Sequence, residues 1–183
     1  MVCGCVLGLS LPLVAGRSAE AVQVLNSNIT EAEVLAAQKG WCEGLLKISA
    51  AYASGGFAKA KTTAEAVIDQ AYAYKDGAVA FRPTLAPTTQ AFRTTPEGAL
   101  AYFVGGNPDF PKDTGFALSP WRSCQVENQV IRIGGNYATT MGNVMFTNAS
   151  GKTTTVDKTW GFMKLPDGRV VITLHHSSLP AEY

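Results

Sequence analysis

Two adjacent histidines, His175 and His176, followed by Ser177 and Ser178, are the residues of this 183-residue chain best suited to proton chemistry. They are its only histidines, and imidazole is the side chain whose ordinary pKa lies near neutrality. The run Arg169 to Ser177 has the composition of a strand, in which neighbouring side chains point to opposite faces. The two histidines therefore cannot close on one ion. A catalytic zinc site typically takes three protein ligands, often spaced His-x-His or His-x-x-x-His. Neither spacing occurs here, and the remaining route would recruit Cys42, Cys124 or a carboxylate to a single histidine. No metal and no cofactor are expected.

The same alternation sorts the strand into Val171, Thr173, His175 and Ser177 on one face and Val170, Ile172, Leu174 and His176 on the other. The second set is apolar until its last member and is expected to pack the core, with His176 near the rim. His175 and Ser177 form a co-facing pair able to share a water molecule or a small substrate. A plain hydrogen-bonded core pair is the structural alternative.

The elements that must position this pair can be read from the rest of the chain. Thr30 and Glu33 make a capping box. Val34, Leu35, Ala37, Trp41, Leu45, Leu46, Ile48 and Ala51 recur at helical spacing to about Ser54. Gly55-Gly56 is expected to stop this helix, and a second is expected from Thr63 to Tyr74. Short strands are expected over Ala78 to Arg82 and Thr88 to Arg93, around Pro83 and Pro87. Thr95-Pro96-Glu97 starts a helix that Gly105-Gly106 ends. From Ser123 the chain becomes a meander: Ser123 to Ile133, Tyr137 to Thr147, Thr153 to Leu165 and Arg169 to Ser177, joined by hairpin-like connections at Gly134-Gly135-Asn136, Asn148 to Gly151 and Pro166-Asp167-Gly168. Helices followed by a long antiparallel meander define an α+β class, with N-terminal helices packed on a strongly curved sheet and a conical pocket between them.

Composition narrows the function. Hydrophobic residues make up 46% and charged residues 16%, which suits one globular core. The formal charge of +1 leaves no basic excess for nucleic acid or an anionic membrane. No stretch reaches the roughly 20 apolar residues of a membrane span. Residues 1–26 read as a targeting leader, with an apolar run to Ala15 and the small-residue pattern Ala19-Glu20-Ala21. The mature protein is then exported, to the periplasm or outside, or delivered to an organelle such as a plastid, and residues 27–183 form the working domain. Leader removal leaves Cys42 and Cys124, as a disulfide or as two buried thiols.

The terminal run Thr173-Leu174-His175-His176-Ser177-Ser178-Leu179-Pro180 resembles the signature of iota-class carbonic anhydrases. These are built on a domain similar to the calcium/calmodulin-dependent kinase II association domain, within the nuclear transport factor 2-like fold. The likeness covers about Thr30 to Tyr183. It implies a pocket combining a threonine and a tyrosine from the first half with a histidine and a serine of the last strand. Motif by motif these fall on Thr84 in Phe81-Arg82-Pro83-Thr84, on Tyr102 in Gly98-Ala99-Leu100-Ala101-Tyr102-Phe103, and on His175 and Ser177.

The resemblance thus implies hydration of carbon dioxide to bicarbonate without a bound metal. His175 would be the general base, while Thr84, Tyr102 and Ser177 orient water and substrate. Such an enzyme should be slower than its zinc counterparts and survive a chelator, and a homodimer is expected. Two rival readings share the fold: an isomerase or dehydratase with a larger substrate, and a non-catalytic association module.

Overall fold

The computed structural model describes residues 1, 22 and 26–181. The leader read over residues 1–26 lies outside the described residues apart from Met1, Val22 and Asn26. The chain opens into helix α1, Glu31–Ala71, a single element of 41 residues. Its start follows the capping box: the Glu33 amide donates to Thr30 Oγ1 at 3.3 Å, and the Thr30 amide donates to Glu33 Oε2 at 2.9 Å. Val34, Gln38, Trp41, Leu45 and Ile48 form its buried stripe. Gly55-Gly56 does not stop the helix. Gly56 takes a left-handed φ of 69°, which glycine adopts without steric cost, and the helix resumes beyond it to bury Ala60, Ala64 and Ile68. The expected second helix is the far leg of this kinked one.

Strand β1, Ala80–Arg82, follows. The expected strand Thr88 to Arg93 is instead a 3₁₀ turn at Thr88–Gln90, closed by the Gln90 amide donating back to the Pro87 carbonyl at 2.9 Å, a local bond that replaces pairing with a neighbouring strand. Helix α2, Pro96–Val104, is capped by Thr95, which accepts from the Gly98 amide at 3.2 Å. The meander is then β2 (Trp121–Gly134), β3 (Tyr137–Asn148), β4 (Thr153–Lys164) and β5 (Val170–Ser178).

The sheet order is β1-β5-β4-β3-β2. The meander is antiparallel as expected, while β1 adds to β5 in parallel, so the sheet is mixed. The concave side wraps α1, and the core between them holds Trp41, Phe81, Phe103, Phe146, Trp160 and Phe162, all buried. Cys42 on α1 and Cys124 on β2 form a disulfide, with Cα atoms 5.4 Å apart at a sequence separation of 82. In the chain-entropy account a loop of that length contributes about 4 kcal/mol. No helix among the described residues is long and apolar enough to cross a membrane.

Candidate active site

Strand β5 does not keep one alternation along its length. Phe162 of β4 pairs with Ile172 and the next β4 residue, Gly161, pairs with Leu174, which leaves Thr173 as the extra residue of a β-bulge. The set facing α1 is therefore Val170 and Ile172 before the bulge and His175 and Ser177 after it. The apolar set expected in the core is correct up to Ile172, then changes sides. His176 is exposed instead of lying at the core rim. Gly161 makes the bulge possible, since a Cβ there would lie 3.0 Å from Leu174 Cβ and 3.1 Å from Thr173 Oγ1.

Turned inward, His175 and Ser177 are 2% and 4% exposed. Phe81, the register partner of His175 on β1, stacks on its ring with centroids 4.2 Å apart. Both ring nitrogens meet protein. Tyr72 Oη, just past the end of α1, lies 2.7 Å from Nδ1 and accepts from Trp41 Nε1 at 2.9 Å. Lys158 Nζ, on β4, is in hydrogen-bond contact with Nε2. Burial, then the adjacent Lys158, holds the imidazole pKa well below its ordinary value, so His175 is neutral at pH 7. Burial likewise pushes the Lys158 amine well below its usual range.

The remaining two expected residues arrive from other elements. Thr84 follows β1, and its hydroxyl donates to Ser177 Oγ at 2.7 Å. That bond leaves the Ser177 proton free for a ligand. Tyr102 sits on the buried face of α2, edge-on to Phe81 and stacked on Phe116. Burial, then Asp113, raises its pKa, so it remains a donor. All four side chains line one cavity of about 50 Å³, whose apolar wall includes Phe116, Phe146, Val156 and Leu179. A water molecule needs about 10–15 Å³ by this kind of measure, so the space suits a molecule of a few atoms. Larger openings of about 300 and 420 Å³ lie elsewhere and include none of the four.

The structure thus brings together Thr84, Tyr102, His175 and Ser177, and it adds Lys158, Tyr72 and Trp41. Lys158 was visible in principle: Val156, Lys158, Trp160 and Phe162 share one parity on β4, and a lysine inside an apolar alternation is an anomaly. Tyr72 reads as an ordinary amphipathic helix residue, and no local pattern marks it. Among the described residues no cluster of three or more His, Cys, Asp or Glu side chains is placed to hold a metal.

Residues 32–179 match a family model described as metal-independent carbonic anhydrase. A protein of that name from Nostoc sp. (strain PCC 7120 / SAG 25.82 / UTEX 2576) is 57% identical over 159 residues, which span 87% of this chain and 78% of the relative. The crystal structure of an iota-carbonic anhydrase from a cyanobacterium, complexed with bicarbonate, superposes with a TM-score of 0.88 at 55% identity, covering 90% of this chain and 100% of that one. A Xanthomonas campestris protein assigned as a calcium/calmodulin-dependent protein kinase II association domain shares the fold, with a TM-score of 0.56 at 20% identity over 92% of this chain and 100% of that one.

Proposed function

The chain belongs to the metal-independent carbonic anhydrase family, and from that premise we propose that it hydrates carbon dioxide to bicarbonate in the cavity where Thr84, Tyr102, His175 and Ser177 meet. The observation that carries this reading is the size and lining of that space: about 50 Å³, with hydroxyl donors and a neutral imidazole at one end and aromatic and aliphatic walls around it. Pockets for drug-sized or ring substrates run to about 300–1,000 Å³, so the cavity argues against an isomerase or dehydratase acting on a large substrate. A purely associative module has no need for buried histidine, lysine and serine converging on a cavity.

In the reaction, water attacks the carbon, a C–O bond forms, and one C=O π pair moves to oxygen. Ser177, polarised by the Thr84 bond behind it, and Tyr102 donate hydrogen bonds to the developing oxyanion. Base catalysis falls to the His175–Lys158 pair, whose nitrogens are in hydrogen-bond contact. General-base help gives about 10² to 10⁴ in rate, less than a metal hydroxide can supply.

The deciding experiment is stopped-flow hydration on protein stripped with chelator. Activity should persist; activity that vanishes and returns only with added metal overturns the metal-free scheme. The same reading includes an exported or organellar, homodimeric enzyme. The Cys42–Cys124 bond supports an oxidising compartment, and exposed Val130 and Met141 on β2 and β3 support a partner surface. N-terminal sequencing of native protein and its mass in solution check these two points.

A further inference from the structure

We infer that Lys158 is a catalytic residue of this hydration: its amine meets the attacking water and takes the proton, held in place by His175. The inference rests on the proposed reaction and deepens it. Nδ1 of His175 faces Tyr72 and Nε2 faces Lys158, so no ring nitrogen is left to touch a water directly. Lys158 lines the same cavity as Thr84, Tyr102 and Ser177, and it is the β4 register partner of Ser177. It is 4% exposed and has no carboxylate in an ion pair with it among the described residues.

A buried lysine without a counter-charge is neutral by preference. A neutral amine carries a lone pair and two N–H bonds. The lone pair accepts a proton as the water O–H bond breaks and the new C–O bond forms. An N–H bond donates to His175 Nε2 throughout, which aims the lone pair at the water. This requires His175 in its Nδ1–H form, with the Tyr72 oxygen accepting from His175 and from Trp41 on its two lone pairs. While Lys158 is charged, the faces of Trp41 and Trp160 stand 4.6 and 5.1 Å from Nζ. They stabilise the ammonium without trapping it in an ion pair. The ammonium then releases a proton to water at the cavity mouth.

Burial shifts the two bases in the same direction with opposite consequences. Imidazole starts near neutrality and is pushed below it, which weakens it as a base at pH 7. An amine starts far above and is brought toward neutrality, where a general base works best. The other titratable groups around the pair are Tyr72 past α1, Tyr102 on α2, and His176 and Arg82 on the β5–β1 edge.

The test compares Lys158→Met, Lys158→Ala and His175→Asn with wild type by stopped-flow hydration across pH, with folding checked by circular dichroism. Lys158→Met should lose about 10² to 10⁴ in kcat/KM and lose more than His175→Asn, which keeps the amine. Propylamine added to Lys158→Ala should restore part of the rate, with a pH dependence that follows the added amine, whereas propanol should not. Lys158→Met within threefold of wild type, or a smaller loss than His175→Asn, overturns the inference while leaving the reaction intact. Equal rescue of Lys158→Ala by propanol and propylamine makes Lys158 a space-filler and overturns it as well. A wild-type protein without hydration activity defeats the underlying functional reading instead.

Discussion

Tyr72 Oη stands 2.7 Å from His175 Nδ1, and its ring lies nearly parallel to the imidazole, at an interplanar angle of 10°. The contact joins the end of α1 to β5 across 103 residues of sequence. A side chain placed by two separate elements, and further fixed by the Trp41 bond, cannot easily rotate away from the histidine. The ring nitrogen facing Lys158 is thereby held in one direction.

Tyr72→Phe keeps the stacked ring and removes only the hydroxyl. Trp41 Nε1 and His175 Nδ1 then lose their partner in a buried setting, at a cost of about 1–3 kcal/mol for each unsatisfied group. The expected result is a lower urea midpoint together with a fall of about tenfold in kcat at little change in KM, since the hydroxyl touches no substrate. A variant with wild-type kcat would show that the Tyr72 bond does not position His175.

Ser177 and Thr84 differ in rank although their hydroxyls are 2.7 Å apart. Ser177 lines the cavity, so if it is the oxyanion donor of the proposed reaction, Ser177→Ala should reduce kcat by about 10² to 10³. Thr84 acts in part through Ser177, so Thr84→Val should cost less, and the double variant should be little worse than Ser177→Ala alone. Stopped-flow rates for the three variants decide it; independent, multiplying effects would mean that each hydroxyl contacts the ligand separately.

Much of this arrangement was legible in the chain. The Thr30–Glu33 cap, the hairpin connections and the pairing of His175 with Ser177 follow from local rules whose range is a few residues. What the sequence concealed depends on long-range register. The bulge at Thr173 is set by its fit to Gly161 on the neighbouring strand, and it decides which half of β5 faces α1. Lys158 is polar by type yet buried by parity, and its partners there, His175, Trp41 and Trp160, come from other parts of the fold or only from the folded strand. Gly56 shows the same limit on the helix side, because a single left-handed residue can kink a helix as well as end it.

Stability against pH offers a check on Lys158 that does not depend on catalysis. In the unfolded chain its amine titrates near 10.5, while in the folded protein burial holds it well below that value. Between the two, the unfolded state carries the extra proton, so stability must fall as pH is lowered from about 10.5, by up to about 1.4 kcal/mol per pH unit until the folded pKa is reached. His175 adds a loss of the same sign below 6.5. Tyr72 acts oppositely: burial raises its pKa above 10.0, so the folded state keeps a proton that the unfolded state releases, and stability falls as pH rises past that point. Wild type should therefore gain stability from pH 6 toward 10 and lose it beyond. Lys158→Met removes the amine's share alone, so the difference between variant and wild type should narrow steadily as pH approaches 10.5 and favour the variant most at low pH. Urea unfolding at a series of pH values measures this difference directly. Parallel curves for the two proteins would mean that the Lys158 amine keeps its ordinary affinity for protons in the folded state, and with it would go the reason for treating Lys158 as a base.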